Sequence, residues 1–297
     1  MALVPSEEAA LLNPGLCSVT LRSLTIDDVV AIASKAGLSG IEWGTDIHVK
    51  DADSADRARQ SCAVAGLKVL SLGSYCRAGT FGDFDNVLAL ALGAGAPRIR
   101  IWAGWVDPDR ADQQTWDCVV SDTQRVAALA ASQGLQIAFE FHRGTLTGTV
   151  EDTLALLQRV DRPNVGTYWQ PAVGLSDEAA LATLRAVLEH LLGVHCFSWW
   201  PGTERLPLAG RKGLWRAVAD VLRDSGRRAD VMLEFVEDDR PENVERDAAF
   251  LRGVASYPNF RPQAPDQPTQ GQYGMQQIWS RIRSSMFTGS RRALRKS

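Results

Sequence analysis

Two periodicities alternate along residues 16–254. Short runs with an apolar residue at every second position are separated by longer stretches with apolar residues three and four apart. The first pattern marks half-buried strands and the second marks helices with one buried face. Strands are predicted at 16–22, 40–44, 68–75, 98–103, 136–142, 165–169, 192–199 and 231–236. A helix is predicted after each. The first is opened by Thr25 with Asp27 and Asp28 in its first turn and closed by Gly37. The others cover 54–65 (stopped by Gly66), 83–92, 116–132 (closed by Gly134), 150–160, 177–189, 214–224 and 241–254. A hydroxyl cap followed by carboxylates satisfies the free N–H groups and the positive end of a helix, and Pro241 sits in a first turn where its missing N–H costs nothing.

Strand–helix units that repeat with a crossover each time require parallel strands. Eight of them, as counted here, is the number that closes a sheet on itself. The expected fold is α/β, a (β/α)8 TIM barrel over residues 1–257 with a C-terminal extension. An open doubly wound sheet would want a glycine-rich turn after the first strand, and Arg22-Ser23-Leu24-Thr25 is not one. Residues 258–274, rich in Pro, Gln and Gly, read as a linker. Residues 275–297 read as a basic tail in which Ile278, Ile282 and Met286 have helical spacing.

Composition adds limits. A hydrophobic fraction of 45% and a charged fraction of 23% are those of an ordinary soluble protein, and no apolar run is long enough for a membrane span. The opening residues carry Glu7 and Glu8 and no basic leader with an apolar run, so no signal peptide is expected. Cys17, Cys62, Cys76, Cys118 and Cys196 are odd in number and lack short paired spacings, which predicts a reduced, cytoplasmic protein. The net charge is −3, and removing the six cations of the tail leaves −9 on the rest. An acidic body argues against nucleic acid as a partner. A homo-oligomer is left open.

The candidate chemistry starts at Gln136–Gly144. Ile137, Phe139 and Phe141 alternate with Ala138, Glu140 and His142, so one face of a buried strand ends in a carboxylate and an imidazole. Such groups are costly to bury unless they hold something. Gln170, His195 and Glu234 fall at the ends of the next three predicted strands. In a barrel of this kind the carboxyl ends of the strands carry the chemistry. Glu140, Gln170, His195 and Glu234 are therefore the expected ligands of one divalent metal ion. Their oxygen and nitrogen donors suit Mn2+ first, with Mg2+, Co2+ or Zn2+ as alternatives. The structural alternative is that Glu140 and Glu234 are ion-paired inside the barrel with Arg98 or Arg100.

Over residues 16–256 the chain resembles the xylose-isomerase-like barrel superfamily, the sugar phosphate isomerase/epimerase group that also holds endonuclease-IV-type enzymes. The segments that carry the resemblance are 40–49 (GIEWGTDIHV), 73–77 (GSYCR), 98–104 (RIRIWAG), 140–147 (EFHRGTLT), 168–171 (YWQP), 195–199 (HCFSW) and 233–235 (LEF). The resemblance implies a Glu, Asp, His, Glu metal set, which Glu140, His195 and Glu234 match in type. Gln170 occupies the Asp position and is neutral, and Val173 stands where sugar epimerases often have a substrate-binding His. Weaker metal binding or a more electrophilic metal is the expected consequence.

The implied activity is a metal-dependent sugar or sugar-acid isomerase or epimerase, acting on a small carbohydrate by proton transfer through an enediolate, with Glu140 and Glu234 as the catalytic pair. A dehydratase or other lyase begins with the same proton abstraction and is the nearest alternative. A non-catalytic sugar-binding or regulatory barrel is the other. Endonuclease-IV-like repair is disfavoured, because that site needs several histidines and the chain has only four. Further substrate contacts are expected from Glu42, His48, Arg100, Trp102 and His142, and from Arg205 toward an anionic group. Trp199 and Trp200 are candidate pocket walls.

Overall fold

A computed structural model of the protein describes residues 11–256. The predicted linker and basic tail lie outside the described residues. Eight parallel strands close into a barrel: β1 (Leu12–Cys17), β2 (Gly40–Gly44), β3 (Lys68–Arg77), β4 (Arg98–Trp102), β5 (Gln136–Phe139), β6 (Val165–Trp169), β7 (Leu191–Cys196) and β10 (Ala229–Leu233), with β10 pairing back to β1. Between β7 and β10 a two-stranded antiparallel ribbon, β8 (Ser198–Trp199) and β9 (Arg205–Leu206), stands over one end. Around the barrel run α1 (Ile26–Lys35), α2 (Ala52–Val64), α3 (Asp85–Ala94), α4 (Gln113–Ala131), α5 (Val150–Val160), α6 (Asp177–Val187), α7 (Lys212–Asp224) and α8 (Pro241–Ser256).

The helices begin where the capping chemistry says they should. Thr25 accepts from the Asp28 N–H while Asp28 reaches back to Thr25, and Asp51 with Ser54 repeats the arrangement on α2. Their inner faces (Val29, Ala33, Ala58, Val126, Leu156, Leu184 and Leu222 among them) pack on the outer face of the barrel in one continuous apolar layer.

Strand β1 lies upstream of the expected 16–22, and Ser18–Leu21 is a short 3-10 turn instead. Asn13-Pro14-Gly15 reads locally as a turn, yet it pairs in register with Asp230, Val231 and Met232. Gly15 is required there by space, since a Cβ would come within 2.4 Å of Leu70 Cδ1. The expected seventh strand is interrupted at Phe197, after which the chain leaves the barrel to form the ribbon.

The barrel interior has two levels. Leu70, Ala138, Tyr168 and Met232 fill the lower part, with Arg98 paired to Asp230 near the amino-terminal ends of the strands. Arg98 thus has the structural role, away from the chemistry. Two residues further along the same face of β4, Arg100 stands at the upper level among Glu42, Glu140, His195 and Glu234.

Candidate metal and substrate site

The ring of His195, fully buried on the next-to-last residue of β7, is one hub of the upper level. Its Nδ1 lies 3.1 Å from Oε1 of Gln170 and 3.3 Å from Oε2 of Glu234, and its Nε2 lies 3.2 Å from Oε1 of Glu42. Tyr168 meets the ring edge-on at 5.0 Å. Arg100 is the second hub. Its Nε donates to Glu42 Oε1 at 3.1 Å, and its Nη1 pairs with Oε2 of Glu140. The Ser71 hydroxyl donates to the other oxygen of Glu42 at 2.6 Å. Gly73 leaves room for this pair: a Cβ there would stand 2.7 Å from Arg100 Nη2 and 3.0 Å from Glu42 Oε1.

Burial alone would raise Glu42, but Arg100 and His195 hold its carboxyl well below the usual range. Burial works against a charge on His195, yet Glu234 and Glu42 outweigh it and carry the imidazole to about 8. Burial raises Glu234 to about 7, against the pull of His195.

These contacts decide whether a divalent ion fits. Nε2 of His195 faces the acceptor Glu42, and Nδ1 faces the oxygens of Gln170 and Glu234, so Nδ1 gives a hydrogen bond when protonated and offers its lone pair to a cation once that proton leaves. The oxygens of Gln170 and Glu234, 3.1 and 3.3 Å from Nδ1, repel its lone pair unless a proton or a cation lies between. The donors (carboxylate oxygens, an amide oxygen and an imidazole nitrogen) are those a hard or borderline divalent ion takes, and a carboxylate behind a ligating imidazole is its usual support. The residues fit the group. A lower cluster of Cys17, Glu42 and His195 has ligand atoms within 4.8 Å of one another. It is the poorer seat, because burial pushes the Cys17 thiol well up and Glu42 is already engaged by Ser71, Arg100 and His195. Sequence reasoning gave no role at the site to Cys17, Ser71, Gly73 or Tyr168. Their small or apolar character gives no chemical signal until the register brings them under the site.

Above the hubs opens a cavity of about 370 Å³. Arg100, Glu140, Gln170 and Glu234 line it together with Trp102, His142, Phe197, Trp199 and Phe235, while the exposed Arg143 lines it without an ion-pair partner among the described residues. The indole N–H groups of Trp102 and Trp199 are buried with no acceptor among the described residues. His142 stacks on Trp102 at 4.6 Å with its Nδ1 2.5 Å from the Arg143 carbonyl, and Arg77 lies 3.9 Å from both Trp102 and Trp105.

Three expected substrate contacts stand elsewhere. Glu42 lies beneath the cavity rather than on its lining, as the partner of Arg100 and His195. Arg205 directs its guanidinium to Asp239 at 2.6 Å and covers Phe235 from 5.1 Å, so the expected anion is supplied by the protein itself. His48 is buried, with Nδ1 3.0 Å from Ser18 Oγ and Nε2 3.1 Å from the Leu24 carbonyl, which leaves no ring nitrogen for a ligand. Trp200 is 39% exposed and does not line the cavity.

The His48 bonds carry a pH prediction. Burial lowers its pKa below the ordinary value, so in acid the unfolded chain takes up the proton first. The stability that His48 contributes is present above about pH 6.5 and is lost as pH falls below that. His48→Gln should cost about 1–3 kcal/mol at pH 7.5. Urea melts should show that gap narrowing at pH 5, and a gap that widens in acid would contradict the assignment.

Comparison with known proteins agrees with the fold. The family described as xylose isomerase-like TIM barrel matches residues 30–254. A 3-dehydroshikimate dehydratase from Bacillus anthracis is 27% identical over 163 residues, covering 50% of this chain; the match spans only 58% of that protein's length. The crystal structure of a probable 3-DHS dehydratase from the same organism superposes with a TM-score of 0.70 at 19% identity, over 81% of this chain and 98% of that one. The 3-keto-D-glucoside 4-epimerase of E. coli superposes with a TM-score of 0.62 at 17% identity, over 82% and 99%. At these identities the solved structures bear on the fold alone. The match across residues 30–254, on a closed eight-stranded barrel, means that the chain belongs to the xylose isomerase-like TIM barrel family.

Proposed function

We infer that the chain is a metal-dependent enzyme that removes a carbon-bound proton next to a carbonyl, and that this removal leads to loss of water from a small anionic hydroxyketone. The observation that carries the metal-centred part is the convergence of Gln170 Oε1 and Glu234 Oε2 on Nδ1 of His195, with Nε2 turned to Glu42. Glu140, Gln170, His195 and Glu234 would hold the ion. When bound, it would stabilise the negative charge that develops on a carbonyl oxygen as the neighbouring proton leaves.

Glu140 and Glu234 both line the cavity and are assigned the proton transfers. Burial raises Glu234 to about 7 when no cation is bound, and a cation there would lower it and favour the carboxylate that takes up a proton. Arg100 keeps Glu140 oriented, and Glu42 keeps the His195 ring oriented. Two features favour elimination over epimerisation of a sugar. The walls formed by Phe197, Trp199, Phe235 and Val173 offer few partners for a ring of hydroxyls, and the unpaired Arg143 invites a carboxylate. The dehydratase similarity points the same way.

Epimerisation remains the second reading, because two cavity-facing carboxylates are what removal and return of one proton requires. Incubation with Mn2+ and 3-dehydroshikimate should yield a dehydrated, conjugated product, absent in Glu234→Gln. No product from that acid, together with epimerisation of a neutral ketose such as D-fructose, would establish the second reading instead.

A further inference from the structure

The loop after β10 is strained. Phe235, Asp238 and Asp239 have φ of 50°, 55° and 50°, a region that residues other than glycine seldom occupy. Non-glycine residues persist there only when their surroundings over-determine them, and such strain gathers at working sites. Phe235 directly follows Glu234, whose N–H donates to the Cys196 carbonyl at 3.1 Å, so the strained loop starts where the barrel's hold on the Glu234 backbone ends. Several contacts hold the strain. The Phe235 N–H donates to Thr20 Oγ1 at 3.1 Å, and its ring packs 5.5 Å from that of Trp199. The Asp239 N–H donates to the Val236 carbonyl at 3.1 Å, and Asn243 Nδ2 donates to the Glu237 carbonyl at 2.7 Å. The only ion pair tying this loop to the ribbon among the described residues is Arg205–Asp239, at 2.6 Å. The same guanidinium covers Phe235 at 5.1 Å and lies 5.8 Å from the ring centre of Trp199. Arg205 therefore grips both ends of the strained segment from outside the cavity.

We propose that Arg205 is a positioning residue: by pairing with Asp239 and covering Phe235 it holds residues 235–239 in their strained form and so fixes the Glu234 carboxyl against His195. The proposal rests on the metal-centre reading above. It extends that reading to a residue that touches neither ion nor substrate. The ribbon β8–β9 thereby gains a role, as a brace that spans from the β7 side of the mouth to the β10 side. Relaxation of 235–239 would let Glu234 swing without unfolding the barrel, because α8 and β10 are anchored by their own packing.

The test is calorimetric titration with Mn2+ alone, combined with hydrogen exchange, on the full chain and three variants. Arg205→Met should weaken Mn2+ binding at least tenfold and speed exchange at the Phe235 amide. Arg205→Lys should recover part of both, since it restores the charge but not the planar cover. Arg159→Met is the matched control: Arg159 also pairs with an aspartate at 2.6 Å and lies 5.2 Å over a tryptophan, but on the outer helices, so both readouts should equal wild type. Wild-type binding of Mn2+ with unchanged affinity and exchange in Arg205→Met would overturn the positioning role and leave the metal centre standing. A wild-type chain that takes up no Mn2+ would overturn both.

Discussion

Arg100→Met is expected to lower the unfolding free energy of the metal-free protein by about 3–5 kcal/mol, the usual result of removing one partner from a buried ion pair. Arg100 is 3% exposed and neutralises Glu42 and Glu140, which are 2% and 6% exposed. Methionine fills much of the same volume, so the loss is electrostatic rather than a cavity. Two carboxylates then share one interior with no guanidinium between them, and Glu42, beneath the cavity, lies away from its water. Saturating Mn2+ should restore part of the stability, because a cation bound near Glu140 replaces some of the missing charge. Urea unfolding with and without Mn2+ measures both effects. A loss below about 1 kcal/mol, the range of exposed pairs, would mean that Arg100 is solvated in solution.

The second large effect is on metal affinity through a residue that would not touch the ion. Glu42→Gln should weaken Mn2+ binding about 10–100-fold, the usual cost of losing the carboxylate behind a ligating imidazole. At 3.2 Å from Nε2, Glu42 keeps a proton there when Nδ1 exchanges its own for a cation beside Gln170 and Glu234. A glutamine amide can present N–H instead of oxygen to Nε2, which favours the opposite tautomer and closes Nδ1 to a cation. Glu42→Asp, which keeps the charge but shortens the reach, should fall between. Equal affinities for all three would place the ion away from His195.

Much of the barrel was readable because its strands and helices announce themselves locally. Gly40–Gly44, Val150–Val160 and Val165–Trp169 have the boundaries that their periodicity predicts. The start of β1 was not readable, since Asn13-Pro14-Gly15 has turn chemistry and becomes strand only by pairing with a segment more than 200 residues away. The convergence of Gln170 and His195 was readable from strand ends, because parallel register places consecutive strand ends side by side. Pairing of Glu140 with Arg100 stood among the expected alternatives and is what the barrel shows. The role of Arg205 was not readable, because a guanidinium on a long side chain can turn to any acid within reach and only the packed structure places Asp239 beside it. His48 misled for a related reason: a histidine in a loop after a strand has no local mark that Ser18 and the Leu24 carbonyl will take both its nitrogens.

Two groups of residues offer seats for the proposed ion, and Co2+ would tell them apart by the colour of its complexes. Bound by Glu140, Gln170, His195 and Glu234, the metal has only oxygen and nitrogen neighbours, so Co2+-loaded protein should show weak visible bands and no intense near-ultraviolet thiolate-to-metal transition. Those bands should vanish in His195→Ala and persist in Cys17→Ser. A strong thiolate transition that disappears with Cys17 would put the ion in the lower cluster and contradict the account.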